Sequence, residues 1–303
     1  YLALFKHDLK GLLAYSTISN LGLIIACAGI NTPLALTAAV MLIIFHAVSK
    51  GLLFMGAGVI EHGIWSREIE DMEGLLAKMP LTTVVMVVGV LSMLLPPFGV
   101  LIAKWAAIEA SARLPLAMLL FVGGSALTVV FWTKFMGRLL ATPPGSADFK
   151  IEPLHILYSG PLVLLAAGAA ALSALISPIM AELVAPAVAQ YYSSWGFAAP
   201  SWQLSSDIGS FPVWPLFVVI AAIIIVPALV VRVKPSELRP AYVCGENVGD
   251  ISAVSFRTVA DEPQELTIGG YYFDRFFGEQ NLNRWFVPVA TTLIVILFGT
   301  VYL

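Results

Sequence analysis

From Thr37 to Ile60 the chain reads TAAVMLIIFHAVSKGLLFMGAGVI, in which Lys50 is the one formal charge and His46 the one other titratable group. About 20 such residues in a helix cross the roughly 30 Å hydrocarbon layer of a bilayer. Only helices and closed barrels satisfy every backbone donor and acceptor there, and the ten-residue alternation of barrel strands is absent from this sequence. Composition agrees: 59% of the residues are hydrophobic and 12% charged, with a mean hydropathy of +0.91. Soluble domains hold roughly 45–50% apolar residues.

Apolar length, read against proline, glycine and charge, predicts an all-α integral membrane protein with seven transmembrane helices. The spans are Leu12 to Ile30, Leu34 to Ile60, Leu81 to Ala110, Pro115 to Leu140, Tyr158 to Leu183, Val213 to Val231 and Trp285 to Leu303. The third contains LLPPFG, where Pro96 and Pro97 remove two backbone donors and Gly99 loosens the chain, so two half-helices are expected. Residues 1–140 form the core. Residues 141–231 add two helices and an external loop from Val184 to Pro212, which carries no basic residue. Residues 232–284 form a cytoplasmic or interfacial segment, and 285–303 a last helix.

With the N-terminal end cytoplasmic, the basic residues outside the membrane gather on that side, among them Lys6, Lys10, Arg67, Lys78, Arg138 and Arg232, and only Arg113 lies opposite. The charged loop from Glu61 to Met79 reads as a turn or lateral helix at the cytoplasmic surface. Segment 232–284, with GGYYFDRFFGEQNLNRWF, reads as interfacial or subunit-contacting, or as a linker. Two distant cysteines, Cys27 and Cys244, make no disulfide framework and hold no metal unaided. No repeat, phosphate loop or nucleotide fingerprint is present, and nothing points to nucleic acid. The opening residues YLALFKHDLK lack a starting methionine and a leader, so the chain is expected to be part of a longer protein.

His46 and Lys50, four residues apart, share one helix face a turn apart. A lysine at mid-bilayer costs roughly 2.5–3.5 kcal/mol on insertion scales and almost always faces a bundle interior or a wet cavity. Burial penalises an ammonium and imidazole titrates near neutrality, so the two can pass a proton with help from Ser49 and water. The alternative is a static contact of Lys50 with a neighbouring helix beside a core histidine. Lys104 follows the proline break, where unpaired backbone groups favour a polar site, or it reaches toward the external interface. Glu109 lies nearer that interface, as an acid of the path or a solvated end. Tyr15, Ser16, Thr17, Ser19 and Asn20 put polar groups into the first span, as interhelical glue or as the lining of a hydrated path. Asp8 with Lys10, and Glu61 with His62, read as solvated boundary residues. His155 has no evident role.

Three stretches, DLKGLLAYSTISNLGL (Asp8 to Leu23), FHAVSKGLLFMGAG (Phe45 to Gly58) and IAKWAAIEA (Ile102 to Ala110), resemble the distal half of the antiporter-like membrane subunits. These occur in respiratory complex I, in multisubunit cation/proton antiporters and in energy-converting membrane-bound hydrogenases. The resemblance runs from about Asp8 to Arg138. It implies the second half of an inverted-repeat bundle, with His46 and Lys50 as central relay residues and Lys104 as the broken-helix lysine of an exit half-channel. No counterpart of the family's first repeat is present in this sequence. RPAYVCGEN (Arg239 to Asn247) is more similar to the hydrogenase branch, which implies the large membrane subunit of an energy-converting NiFe hydrogenase of the Ech or hydrogenase-4 kind.

The expected function is translocation of protons or sodium in a redox-driven multisubunit complex of a bacterial or archaeal cytoplasmic membrane. The pathway would run through Lys50, His46, Lys104, Ser49, Ser16, Thr17 and Glu109. The partners would be other membrane subunits and a peripheral redox arm, with the NiFe centre and iron–sulfur clusters in those partners and no cofactor in this chain. Alternatives are a cation/proton antiporter subunit without redox partners, an NADH–quinone oxidoreductase subunit, and a structural membrane scaffold.

Overall fold

The computed structural model describes residues 1–95, 98–141 and 155–193, and beyond these the shorter stretches 203–205, 209–212, 214–216, 218–219, 222, 255–257, 263–265 and 279–301. Helix α1 (Leu9–Ile30) starts where the Asp8 carboxylate accepts the Gly11 amide at 2.7 Å, a cap that contributes about 1 kcal/mol. It stops at Asn31, whose left-handed backbone (φ 52°) turns the chain back. Helix α2 (Pro33–Ile64) is capped by Thr32 and opens on Pro33, whose missing N–H would have been unpaired anyway. Its 32 residues span about 48 Å, so its last turn projects beyond a hydrocarbon layer of about 30 Å. The expected end at Ile60 is therefore one turn short, because Glu61–Ile64 continue the helix until Trp65 enters the left-handed region.

The following loop, expected as a surface turn or lateral helix, is a strap. It holds a 3₁₀ turn (Glu70–Met72) and the short α3 (Leu75–Lys78), and it buries Ile69, Met72 and Leu75. Leu9 donates its amide to the Arg67 carbonyl and Ile69 to that of His7, at 2.9 and 2.8 Å. Arg138 pairs with Glu70 and Glu73, and Lys10 and Arg67 both pair with Glu61. Asp8 and Lys10 are thus not a solvated couple: Asp8 caps α1, and Lys10 ties α1 to α2 through Glu61.

Helices α4 (Pro80–Leu94) and α5 (Gly99–Ala110) are the two halves of the broken span. Leu95 is extended, as the residue before a proline must be, and Phe98 is extended as well. Pro96 and Pro97 lie outside the described residues. Helix α5 starts tight against α2: a Cβ on Gly99 would collide with the Phe45 ring, and the Gly99 amide donates to Ser173 Oγ at 3.4 Å. Gly89 of α4 meets Leu53 in the same way, a built Cβ lying 2.8 Å from Leu53 Cδ2. Close approach of small residues is how helices associate where lipid supplies no hydrophobic drive.

Helix α6 (Pro115–Leu140) follows, and then α7 (Ile156–Ala174). The fifth expected span, Tyr158 to Leu183, is a chain of shorter elements: α7, α8 (Ile176–Ile179), a π turn (Met180–Val184) and α9 (Ala185–Ala189), with Pro178 interrupting the regular helix. The expected external loop from Val184 accordingly begins as helix. Tyr192 closes it, its hydroxyl lying 2.6 Å from the Asn31 carbonyl and 2.9 Å from Asn31 Oδ1. Two short antiparallel ladders, β1 (Gln203–Ser205) with β2 (Ser210–Pro212) and β3 (Ser255–Arg257) with β4 (Pro263–Glu265), were not expected in an all-α chain. The last helix, α10 (Glu279–Val301), begins six residues before the expected Trp285 and places Phe286 against Tyr1 with ring centroids 5.1 Å apart.

Among the described residues five helical stretches are long and apolar enough to cross a membrane: α1, α2, α4 with α5, α6 and α7. The expectation of seven is not reached on that basis. The Val213 to Val231 span lies mostly outside the described residues, as do most of segment 232–284 and the RPAYVCGEN stretch. Helix α2 is the hub, packed by α1, α4, α5 and α7. Leu42, Leu52, Leu53 and Ile60 are fully enclosed along it.

Candidate functional site

The hub helix places His46 and Lys50 one turn apart, 6% and 5% exposed, in the interior of the bundle. Lys50 Nζ donates to the Leu13 carbonyl at 3.0 Å and to Ser16 Oγ, both on α1. Ser16 Oγ donates its own hydrogen bond to the same Leu13 carbonyl, and so does Thr17 Oγ1, each at 2.9 Å. The Trp132 ring of α6 lies 5.1 Å from the ammonium and the Phe54 ring 5.9 Å away. A cation over an indole face gains about 2 kcal/mol or more when desolvated. No carboxylate pairs with Lys50 among the described residues.

Ser49, expected to assist Lys50, faces the other way. Its hydroxyl meets Ser92 Oγ of α4 at 2.8 Å, and Ser92 donates to the Gly89 carbonyl at 2.6 Å. Successive helical residues point about 100° apart, so one neighbour binds α1 and the other α4.

Lys104, on the half-helix after the break, is 5% exposed and lines a cavity of about 120 Å³ between α1, α5 and α6. Ser19, Asn20, Ser125 and Thr128 supply its polar wall. That volume accommodates a few waters held by polar partners. Asn20 Nδ2 donates to the Ser16 carbonyl at 2.8 Å, which leaves Asn20 Oδ1 buried without a partner among the described residues. A polar strip along one face of α1 thus joins the two lysines: Lys50 to Ser16, Ser16 to Asn20, and Asn20 to the Lys104 cavity. Glu109, half-buried in the last turn of α5, is not among the cavity's lining residues.

Four buried polar atoms in this interior have no hydrogen-bond partner among the described residues: Asn20 Oδ1, both ring nitrogens of His46, and Trp132 Nε1. Each costs about 1–3 kcal/mol if left unpaired, so each calls for a water or a polar group from another subunit. The arrangement concentrates positive charge in a low-dielectric interior and offsets it with dipoles alone, which suits groups that change protonation.

Trp132 and Ser92 were not among the sequence candidates. Trp132 had a readable signal: Ser125, Thr128, Trp132, Phe135 and Leu139 recur at spacings of three and four, the seam α6 turns to the bundle. Ser92 sat in an apolar run with none.

Residues 1–130 match the family described as NADH:quinone oxidoreductase/Mrp antiporter, TM. Among curated relatives, a probable K(+)/H(+) antiporter subunit of Rhizobium meliloti (strain 1021) is 49% identical over 89 residues, which is 29% of this chain and 9% of that protein. A Na(+)/H(+) antiporter subunit of Staphylococcus aureus (strain JH9) is 34% identical over 157 residues, covering 43% of this chain and 20% of that protein. The chain thus spans a fifth or less of the length of these curated relatives. A chain of the membrane-bound sulfane sulfur reductase, an archaeal respiratory membrane complex, superposes with a TM-score of 0.64 at 26% identity, over 80% of this chain and 42% of that one. The Mrp complex from Dietzia sp. DQ12-45-1b shares the fold at a TM-score of 0.55 and 21% identity, over 63% of this chain and 44% of that one. Residues 1–130, which hold His46, Lys50 and Lys104, are thus similar to the NADH:quinone oxidoreductase/Mrp antiporter, TM family.

Proposed function

We propose that this chain is the distal part of a subunit that moves protons, or sodium, across a bacterial or archaeal cytoplasmic membrane, driven by redox chemistry in partner subunits. One observation carries the reading: Lys50 and Lys104 are buried without a carboxylate partner among the described residues, and Ser16, Asn20 and a polar cavity join them. Moving one charge against 100 mV costs about 2.3 kcal/mol, an amount that modest rearrangement around a buried amine can supply. The redox-driven form is supported by the sulfane sulfur reductase likeness, which extends over 80% of the chain, well past residue 130. A peripheral arm would hold the iron–sulfur clusters, with a NiFe centre if the hydrogenase resemblance of Arg239 to Asn247 holds.

The test is donor-driven acidification of inside-out vesicles carrying the intact complex. Lys50→Ala and Lys104→Ala abolish acidification while the complex still assembles. Unchanged acidification in both variants overturns the proposal, and loss of assembly in both points to a scaffold. The second reading, a cation/proton antiporter without redox partners, is favoured by the identity to antiporter subunits. It requires that added cation dissipate a preset pH gradient with no electron donor, and that the purified complex lack nickel and iron.

A further inference from the structure

A second cavity, of about 670 Å³, lies between the C-terminal turns of α2, the junction of α3 with α4 and the first turns of α7. Its wall is apolar, with Met55, Val59, Met79 and Leu162 contributing. A Cβ built on Gly58 would meet nothing within 4 Å, so the α2 surface there is bare. The polar members of its lining are His62 in the last turn of α2, Lys78 at the end of α3 and Tyr158 in the first turn of α7. Lys78 has no ion-pair partner among the described residues. His62 is exposed, its ring lying nearly perpendicular to the Trp65 indole with centroids 6.5 Å apart. The neighbouring cations are already engaged, Lys10 and Arg67 by Glu61 and Arg138 by Glu70 and Glu73.

This end of the bundle is the basic one, the level at which a cytoplasmic leaflet presents its phosphates. Trp65, 87% exposed in the adjoining turn, is an aromatic of the kind that sits among headgroups. An apolar groove at that depth, with an unpaired ammonium and an imidazole in its lining, complements a molecule with two apolar tails and one negative head.

We infer that the groove is a binding site for one anionic phospholipid. Its acyl chains lie on Met55, Val59, Met79 and Leu162, and its phosphodiester is held by Lys78 and His62, with the Tyr158 hydroxyl as a further donor. Such a lipid fills the space between α2 and α7 and fastens the strap to the helices it crosses.

The experiment places the intact complex in phosphatidylcholine nanodiscs containing a phosphatidylglycerol with a photoactivatable acyl chain, and maps adducts by mass spectrometry. Adducts on the Met55 to Gly63 turns of α2 and the first turns of α7 are expected. Lys78→Gln lowers them about five-fold, the factor one basic group contributes near an anionic surface. Gly58→Leu removes them by filling the groove, while labelling of the outer face of α6 stays constant as a control for folding. Equal labelling in Lys78→Gln overturns the inference. So does displacement of the labelled lipid by millimolar inorganic phosphate, which marks a free-anion site, and so does cross-linking of the groove to an acidic partner helix in place of lipid.

Discussion

Lys50 donates to Ser16 across the α1–α2 interface, 34 residues apart in sequence, and that hydroxyl in turn donates a hydrogen bond to the carbonyl of Leu13. The ammonium is therefore held by a group that can turn. If Lys50 loses its proton, Ser16 can rotate and donate to the amine.

Ser16→Ala removes this partner. Hydrogen bonds to charged groups contribute about 1.5–3 kcal/mol, so coupled ion movement should fall roughly ten-fold or more, with the complex still assembled. Ser16→Thr keeps a hydroxyl and should restore most of the rate. Initial acidification rates in inside-out vesicles decide it, and a wild-type rate in Ser16→Ala would show that the contact is only structural.

Trp132 combines packing with charge. It is fully buried, and its indole faces the ammonium of Lys50. Trp132→Phe keeps a ring and should retain assembly with a reduced rate. Trp132→Ala opens a cavity and should cost about 3–5 kcal/mol, visible as a lower midpoint in thermal unfolding of the solubilised complex. Equal midpoints in the two variants would contradict this separation.

Asn20 separates function from stability in the opposite sense. Its Oδ1 is buried with no partner among the described residues and its Nδ2 bonds within α1, so Asn20→Leu exchanges an amide only half satisfied by them for packing. Thermal stability should hold or rise, while ion movement falls because the strip between the lysines is cut. A variant that loses both would place Asn20 among the structural polar contacts.

Gly99→Ala tests the helix break. The added methyl meets the Phe45 ring, an overlap that costs typically 1–3 kcal/mol, and Phe45→Leu should relieve it in the double variant. Unfolding midpoints of the two single variants and the double variant form the cycle, and strictly additive effects would mean that the two residues do not meet.

Much of this was legible in the chain because the bilayer leaves a segment few choices. Apolar length gave α1, α2 and α6 nearly to their ends, the paired prolines gave the break before Gly99, and a spacing of four gave the shared face of His46 and Lys50. Period and length are local properties, and they were read locally. Local patterns said less where distant partners decide: the strap between Trp65 and Met79 holds the expected turn and short helix, yet its burial of Ile69 and Met72 across α1, α2 and α6 was not legible, nor was the broken passage after Ala174.

The sequence by itself determined that this is a bundle of membrane helices with lysines that have to face inward, since nothing else removes a backbone and a charge from lipid at bearable cost. Only the tertiary structure decided what those lysines meet. Ser49 and Lys50 are neighbours in the chain, yet one binds α4 and the other α1, and Trp132 reaches Lys50 from 82 positions away. Contacts between helices depend on rotation and crossing, and these are set by which small residues allow two backbones to close, as at Gly89 and Gly99.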